Sequence, residues 1–254
     1  MSSRADGRSP RDLRPLSCQW DIAANAAGSV LLRCGKTEVI CTVTVDESVP
    51  RWMKEQGVPG GWLTAEYSML PASTHDRKPR DSTRGKVDGR STEIQRLLGR
   101  SLRAVLDLEA LGSRSLWVDC DVLAADGGTR TTAISGACLA LRRAIERLQA
   151  CGRLTADPLR SSLAAISVGL LKGTPILDLD YPEDRDAEVD MNVVMTGQGR
   201  LVEVQAGGEE HDFTRQDFDQ LLHLAEEGIR KVLSFQDSAW QGRPKAVPLA
   251  PKPA

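Results

Sequence analysis

Ala125-Asp126-Gly127-Gly128-Thr129-Arg130-Thr131-Thr132 lies between an extended apolar run, residues 115–124, and a helical pattern that continues to Ala150. The two glycines in its first half, which we call the glycine turn (residues 125–128), permit a tight bend and let an anion approach backbone N–H groups. The helix that follows leaves its first amides unpaired, and the positive end of its dipole points to the same place. Thr129 adds a hydroxyl group, and Arg130 adds a forked cation that matches phosphate oxygens. The stretch therefore predicts a strand, a turn and a helix that together bind phosphate.

The alternative interpretation is a tight turn between strand and helix that is capped by the hydroxyl group of Thr131 or Thr132. For the two glycines alone this alternative is favoured, because adjacent glycines commonly mark turns. The position of Thr129-Arg130 directly at the helix entrance favours a phosphate site instead.

The composition is that of an ordinary globular chain: of 254 residues, 41% are hydrophobic and 27% are charged, and the mean hydropathy is -0.29. No apolar run is long enough to span a bilayer, and residues 1–14 lack the apolar core of a secretory signal. The six cysteines show no C-x-x-C spacing, and four lie in apolar patterns, so we expect reduced thiols and a cytoplasmic protein. The three histidines match no zinc-ligand spacing.

Charge is segregated along the chain, although the net charge is only -2. Residues 76–103 carry nine Lys or Arg against four Asp or Glu, whereas residues 178–190 carry seven acids and one arginine. Each run alone is most simply a solvated face. Together with the glycine turn, they suggest one segment that holds phosphates and another that holds a cation.

The hydrophobic periodicity predicts an α+β fold. Helical patterns begin at Arg90, after the glycine turn and at Arg215, and strand-like runs occupy residues 29–34, 37–45, 62–70, 115–124, 164–171, 175–180, 188–195 and 200–205. Because strands and helices do not alternate strictly, we expect mixed or antiparallel sheets that are covered by helices.

The remaining segments set the predicted domain boundaries. We expect an extended basic N-terminal arm (residues 1–15), a single domain (residues 16–241) and a Pro-rich disordered tail (residues 242–254). The polar, Arg-rich loop at residues 71–89 is long for a compact domain, and long loops are usually functional or mobile.

Asp184 and Asp190 are the carboxylates that we single out as metal ligands. Asp190 projects from the polar face of an alternating strand, and Asp184 lies in the acidic loop that leads to it. Two neighbouring carboxylates repel each other, and Mg²⁺ accepts one or two carboxylates together with phosphate oxygens. Each aspartate alone is more simply a turn or capping residue. Glu183 and Asp186 are alternatives if the loop is registered differently.

Two further groups of charged side chains have a weaker claim to function. Arg96, Arg100 and Arg103 form a basic stripe on the helix that begins at Arg90. We expect Arg96 and Arg100 to contact RNA, whereas a solvated flank is the simpler explanation for Arg103. Asp119 and Asp121 share a strand face, and we expect them to be structural or to support the site.

Besides the glycine turn and Thr129-Arg130, the sequence contains several short motifs in a characteristic order along the chain. They are Gly61-Trp-Leu-Thr-Ala-Glu-Tyr67, Met69-Leu-Pro71, Gly89-Arg90, Glu93-Ile-Gln-Arg-Leu97, Asp119-Cys-Asp-Val122, Glu183-Asp184 and Asp190-Met-Asn-Val-Val194. In order and spacing these motifs resemble the ribonuclease PH family of phosphorolytic exoribonucleases. The resemblance extends over about residues 6–236. It implies paired β-α-β-α units, a hexameric ring built as a trimer of dimers, and 3′→5′ trimming of tRNA precursors that releases nucleoside diphosphates.

The resemblance also implies roles for individual residues. Arg90, Thr129 and Arg130 would hold inorganic phosphate with help from the backbone of Gly128, and the aspartate pair named above would hold Mg²⁺. Arg77 and Arg80 match loop residues that guide RNA into the ring. Two departures from the family pattern occur, at Ala72 in place of an arginine and at residues 206–209, Ala-Gly-Gly-Glu in place of Gly-Thr-Ala-Glu.

Phosphate is already a nucleophile at neutral pH, so this chemistry needs no catalytic histidine or serine triad. Aromatic residues make up only 4% of the chain, and we therefore expect RNA binding through the backbone, with little base stacking. The alternatives are a catalytically silent ring subunit, a small-molecule kinase and a hydrolytic nuclease. The first predicts loss of the arginines or aspartates, and the second requires a Gly-Ser-rich nucleotide loop that the sequence lacks.

Overall fold

A computed structural model describes residues 4–209, 212–247 and 249, with the side chain of Arg84 excepted. The strands of this part are β1 Leu16–Trp20, β2 Gly28–Cys34, β3 Thr37–Asp46, β4 Trp62–Met69, β5 Ser115–Ala124, β6 Leu163–Leu171, β7 Thr174–Leu177, β8 Val189–Thr196 and β9 Leu201–Gly208. Its helices are α1 Arg51–Gln56, α2 Asp81–Arg84, α3 Gly89–Ala104, α4 Leu108–Leu111, α5 Thr129–Ala150, α6 Tyr181–Asp186 and α7 Arg215–Gln241.

The first sheet has the strand order β1-β2-β3-β5-β4. Strand β4 runs parallel to β5, and the other pairs are antiparallel. Side chains of β3 alternate, so that Val39, Cys41 and Val43 are fully buried while their neighbours are partly exposed. Helix α3, which connects β4 towards β5, packs against β4. The prediction of a mixed sheet covered by helices is confirmed here.

The second sheet has the order β7-β6-β8-β9 and is antiparallel throughout. Strands β6 and β7, which fall in two of the predicted strand-like runs, form a hairpin around Lys172-Gly173. The predicted alternation in β8 is also confirmed, because Val189, Met191, Val193 and Met195 all lie in the hydrophobic core beneath α7.

Helix α5 lies between the two sheets. It contacts β2, β3 and β5 of the first sheet and β6 of the second. Strand β6 shows both environments: Leu163 and Ala165 belong to the core that contains α5, whereas Ala164 and Ile166 belong to the core under α7. The result is a layered α+β architecture in which the start of α5 meets one face of the second sheet.

Several short elements were not predicted from the sequence: β1, α1, α2, α4 and α6. Each has four to six residues, which is too short for a hydrophobic period to show. Helix α6 had a local signal, because Asp180 and Glu183 form a capping box and Pro182 lies in the first turn. The acidic connection that we expected at this point is therefore a short helix.

The described part of the N-terminal arm is packed against the second sheet. Arg4 and Arg14 are buried, with 5% and 4% of their surface exposed. The backbone N–H of Leu177 in β7 donates to the carbonyl oxygen of Pro10 at 2.8 Å.

At the other end of the chain, Arg243 pairs with Glu146 at 2.5 Å. Residues 248 and 250–254 of the predicted tail lie outside the described residues.

In the part of the chain that the structure describes, no helix combines the length and the hydropathy needed to cross a bilayer.

Candidate active site

A polar cavity of about 160 Å³ opens where α5 begins. Its lining comes from α3, the glycine turn, α5, α6 and the second sheet. The lining residues are Arg90, Gly128, Thr129, Arg130, Ser167, Asp184, Asp190, Asn192 and Glu209. The four proposed phosphate-binding residues and both proposed metal ligands therefore surround one space, which we call the phosphate cavity.

The glycine turn has a backbone that residues with a Cβ rarely adopt. Gly127 and Gly128 have φ angles of 73° and 63°. A Cβ on Gly127 would also lie 2.5 Å from the carbonyl oxygen of Leu179, so this turn requires glycine for space as well as for conformation. Gly128 is the N-cap residue of α5, where no side chain caps the helix. The first amides of α5 are therefore left for a ligand.

The hydroxyl group of Thr129 is fixed from the first sheet. The hydroxyl of Tyr67 in β4 donates to Oγ1 of Thr129 at 2.9 Å, and both residues are buried. Burial raises the pKa of Tyr67, against the opposing effect of this hydrogen bond, so the phenol stays protonated and remains a donor. The hydroxyl hydrogen of Thr129 is then directed towards another acceptor.

The guanidinium group of Arg130 is held at the rim of the cavity. Its Nη1 donates to Oε1 of Gln205 in β9 and lies 3.3 Å from Oε1 of Glu93 in α3. Nε2 of Gln205 in turn donates to Glu93 at 2.9 Å. Arg90 lies in the first turn of α3 and is exposed. The two arginines face one cavity from different helices.

The second sheet contributes the polar side chains on its α5 side. Ser167 in β6 is the register partner of Asn192 in β8, and Asp190 lies two residues before Asn192 on the same face. The amide Nδ2 of Asn192 donates to Asp190 at 3.4 Å. The Oγ atom of Ser167 is buried without a hydrogen-bond partner among the described residues, so it is available to a ligand.

Asp184 and Asp190 form the acidic side of the cavity. Burial raises the pKa of Asp184, and the opposing attraction of Arg90 and Arg130 does not cancel this effect. Burial, followed by the charges of Asp184 and Glu209, raises the pKa of Asp190. Two half-buried carboxylates whose pKa values are both raised fit a site for a cation, which would stabilise their ionised forms.

The donor set has the character that Mg²⁺ requires. Asp184 and Asp190 supply hard oxygen donors, and Mg²⁺ usually takes one or two carboxylates and completes its shell with water and phosphate oxygens. Among residues 4–209, 212–247 and 249, no group of three or more His, Cys, Asp or Glu side chains is arranged to hold a metal by itself. The alternatives Glu183 and Asp186 are engaged elsewhere, with Arg4 and Arg185 respectively.

A second cavity of about 380 Å³ adjoins the first and shares Arg90, Gly128, Thr129 and Asp184 with it. Its other walls are less polar. They are formed by Met69, Thr74, His75, Asp76, Ala125, Gly127 and Tyr181. We call this space the adjoining cavity.

The predicted RNA-binding arginines line neither cavity. Arg77 and Arg80 are exposed in the loop before α3. Arg96 and Arg100 are exposed along α3, and Arg100 pairs with Glu203 of β9 at 2.9 Å.

Asp119 and Asp121, which we expected to be structural or supporting, line a separate depression together with Glu66. The pKa values of both aspartates are raised by burial and by the Glu66 carboxylate. They line neither the phosphate cavity nor the adjoining cavity.

Several cavity residues were not predicted from the sequence. Ser167, Asn192 and Glu209 belong to the second sheet or follow it, and only strand register brings them to the glycine turn. Asn192 had a signal, since it shares the polar face of β8 with Asp190. One departure from the family pattern also falls here, because Gly207 is the register partner of Asp190.

The comparison with protein families matches both halves of the chain. The model of the 3′ exoribonuclease family, domain 1, matches residues 12–145, and that of domain 2 matches residues 162–228. The chain therefore belongs to the 3′ exoribonuclease family. This confirms the predicted class of activity.

Within that family the similar curated proteins carry the name ribonuclease PH, as the resemblance indicated. The protein from Parasynechococcus marenigrum is 52% identical over 93% of this chain and 93% of its own. The protein from Bacillus subtilis is 52% identical over 92% of this chain and 95% of its own.

Two solved structures share the fold. Rice Rrp46 superimposes with a TM-score of 0.75 at 21% identity, over 93% of this chain and 99% of that one. A chain of the Archaeoglobus fulgidus exosome with RNA bound to the active site has a TM-score of 0.75 at 20% identity, over 92% of both chains. At these identities the likeness shows the fold, and the predicted α+β class with two sheets covered by helices is confirmed.

Proposed function

We propose that this protein is a phosphate-dependent 3′→5′ exoribonuclease that trims the 3′ ends of tRNA precursors and releases nucleoside diphosphates. One observation carries the proposal: two arginines, a helix N-terminus and a carboxylate pair surround one cavity. An anion-binding wall beside a cation-binding wall is what an enzyme needs to join two phosphate groups that repel each other. Its ribonuclease PH relatives support the same activity.

In this proposal inorganic phosphate occupies the space between Arg90 and Arg130. The amide of Gly128 and the hydroxyl of Thr129 donate to it from the start of α5, and the two guanidinium groups offset its charge. Ser167 adds a hydroxyl group that has no protein partner among the described residues. Phosphate fixed in this way needs no general base, since it already carries negative charge at neutral pH.

Asp184 and Asp190 are the residues that would hold Mg²⁺. The metal ion, when bound, offsets negative charge on the scissile phosphodiester group. Asn192 orients the carboxylate of Asp190 through its amide. Attack by an oxygen of hydrogen phosphate on the phosphorus of the last phosphodiester breaks its bond to the 3′-oxygen of the preceding nucleotide. The last nucleotide leaves as a diphosphate, and the proton of the attacking phosphate completes the new 3′-hydroxyl end.

The adjoining cavity has room for the terminal nucleoside. It shares Arg90 and Asp184 with the phosphate cavity, and its less polar walls include Met69 and the ring of Tyr181. Tyr181 is half exposed, so its face is available to a base. We assign the leaving nucleoside to this cavity and the rest of the RNA to the exposed arginines of α3 and of the loop before it.

The assembly and location of the protein are proposals as well. We infer a homohexamer, a trimer of dimers, in which Arg77, Arg80, Arg96 and Arg100 contact RNA. The six cysteines are free, which is compatible with a cytoplasmic protein.

Product analysis tests the proposed function. Purified protein is incubated with a 3′-extended tRNA precursor and Mg²⁺, with and without inorganic phosphate. We expect nucleoside diphosphates in a reaction whose rate depends on phosphate concentration. Nucleoside monophosphates released equally fast without phosphate would identify a hydrolytic nuclease, and absence of any product would favour a silent ring subunit.

A further inference from the structure

An arginine of the N-terminal arm contacts the backbone of the glycine turn. The guanidinium group of Arg14 donates through Nη1 to the carbonyl oxygen of Asp126, and through Nη2 to the carbonyl oxygen of Gly127 at 3.5 Å. Arg14 lines neither the phosphate cavity nor the adjoining cavity. The contact therefore comes from outside the space that a substrate would occupy.

Arg14 is itself fixed by a buried carboxylate. Nη2 and Nε of Arg14 donate to the two oxygens of Asp178 at 2.7 and 3.0 Å, and the backbone N–H of Arg14 donates to Asp178 at 2.7 Å. Only 1% of the Asp178 surface is exposed. Burial alone would raise its pKa, but the hydrogen bonds and charge of Arg14 lower it. A two-pronged ion pair of this kind leaves the guanidinium group little freedom to move.

A second donor reaches the same carbonyl group from the first sheet. Oγ1 of Thr37, at the start of β3, donates to the carbonyl oxygen of Gly127 at 2.7 Å and accepts from the N–H of Asp126 at 2.9 Å. Thr37 is fully buried and, like Arg14, lines neither cavity. The carbonyl oxygen of Gly127 is thus held by donors from two separate parts of the chain.

The direction of this carbonyl group decides the direction of the next amide. In a trans peptide the C=O of one residue and the N–H of the next point to opposite sides, and the described residues include no cis peptide bond. Holding the C=O of Gly127 on the side of Arg14 and Thr37 therefore turns the N–H of Gly128 to the other side. Gly128 lines both cavities.

We propose that Arg14, together with Thr37, is a positioning residue for phosphate: it holds the carbonyl group of Gly127 so that the amide of Gly128 stays aimed at the bound anion. The inference rests on the phosphate site proposed above and adds to it two residues that never touch substrate. Without them the two-glycine turn has many accessible conformations, and the amide donor loses its fixed direction.

The competing explanation is that the arm serves stability alone. The arm does hold other parts of the fold, since Nε of Arg4 donates to Glu183 of α6 at 2.7 Å. If Arg14 serves stability alone, its replacement should lower the stability of the protein without a selective loss of phosphate affinity. If Arg14 positions the amide of Gly128, its replacement should weaken phosphate binding more than it changes RNA binding.

The test compares Arg14→Lys with Arg11→Ala in the full-length protein. Lysine keeps the charge beside Asp178 but lacks the fork that reaches the carboxylate and both carbonyl groups at once. Arg11 lies on the same arm, is exposed and pairs with Glu227, so it serves as the matched control. Calorimetric titration with inorganic phosphate gives Kd, and trimming assays give KM for phosphate and KM for RNA.

We expect Arg14→Lys to raise Kd and KM for phosphate by about tenfold or more, with KM for RNA within about twofold of the wild-type value. The control should match the wild type in all three. A folded Arg14→Lys protein with wild-type phosphate affinity overturns the proposal.

A second pair of variants covers the case in which Arg14→Lys does not fold. Thr37→Val removes the other donor to Gly127 at nearly constant volume, and Thr37→Ser restores the hydroxyl group. We expect weaker phosphate binding in the valine variant and recovery in the serine variant. Equal phosphate affinity in both variants contradicts the proposal.

Failure of the proposed function remains distinguishable from failure of this inference. If the wild type binds phosphate but releases no nucleoside diphosphate, the proposed function fails, and the titrations of the variants still decide the role of Arg14. If the wild type binds no phosphate at all, both are wrong.

Discussion

Arg130 is placed where one arginine can both bind phosphate and lower the barrier of the reaction. It lies in the first turn of α5, where the helix dipole already favours an anion, and Gln205 and Glu93 restrict its side chain. Its guanidinium group therefore meets phosphate with little reorganisation, which is the condition under which a donor lowers an activation barrier most.

Replacement of Arg130 by alanine should reduce kcat/KM for phosphate by about a hundredfold to a thousandfold, because one preorganised cationic donor is lost. Steady-state trimming assays at varied phosphate concentration measure the effect. Arg51→Ala is a suitable control, since Arg51 lies in α1 with 92% of its side chain exposed. Wild-type kinetics in the Arg130 variant would remove this residue from the site.

The buried ion pair of Asp178 with Arg14 should make the stability of the protein depend on pH. The hydrogen bonds and charge of Arg14 outweigh burial and hold the pKa of Asp178 below its ordinary value of 3.8, so the folded state favours the ionised carboxylate. This contribution is present above about pH 3.8 and is lost as the pH falls below that value. Asp178→Asn should lower the free energy of unfolding by roughly 3–5 kcal/mol at pH 7, because it leaves the buried Arg14 without its ion-pair partner.

Urea unfolding of wild type and variant at pH values from about 3 to 7 measures this difference, which should shrink at the acidic end. Asp219→Asn, which breaks an exposed pair with Arg215, should change stability little at any pH. A difference between wild type and Asp178→Asn that stays constant across the range would show that ionisation of Asp178 is not its source.

At the scale of elements, the junction between β5 and α5 positions the site. Strand β5 ends at the glycine turn, which reverses the chain, and α5 then runs between the two sheets. This junction was predictable because its signals are local: an apolar strand, two glycines and a periodic helix. Helix α6 and its Asp184 were not predicted as a helix, since six residues are too few to show a period.

Gly127→Ala tests the junction. Alanine must adopt a φ angle near 73°, and its Cβ would lie 2.5 Å from the carbonyl oxygen of Leu179, so we expect a loss of about 1–3 kcal/mol in stability together with lost phosphate binding. Gly173→Ala is the matched control, because Gly173 has a φ angle of 68° and no neighbouring atom within 4 Å of the added Cβ. The control should lose some stability and retain phosphate binding. If Gly127→Ala and Gly173→Ala had the same effect on phosphate binding, the close packing at Gly127 would not be required for that binding.

At the scale of the whole molecule, the site is assembled from both sheets. The sequence predicted Arg130 from its motif and Asp190 from a periodic strand face, and the family resemblance predicted Arg90. The sequence did not reveal Arg14, whose partner Asp178 is 164 residues away and whose role depends on contacts that have no local pattern. We propose that residues 16–241 form one folding unit, since α5 contacts both sheets.

RNA binding should depend strongly on salt concentration. The arginines proposed to contact RNA are exposed, and the chain has few aromatic residues for stacking, so phosphate contacts dominate affinity. We expect the affinity for a single-stranded RNA to fall by about tenfold or more between roughly 50 and 200 mM salt. Fluorescence anisotropy at several salt concentrations measures this change. An affinity that does not vary with salt would contradict binding through the RNA backbone.

The central claim is that an anion bound at the start of α5 attacks the RNA terminus in place of water. Trimming of a tRNA precursor in the presence of radiolabelled inorganic phosphate tests it most directly, because the attacking group becomes part of the product. The label should appear in the β-phosphate of every nucleoside diphosphate released. Products that carry no label, formed at the same rate, would show that water is the nucleophile.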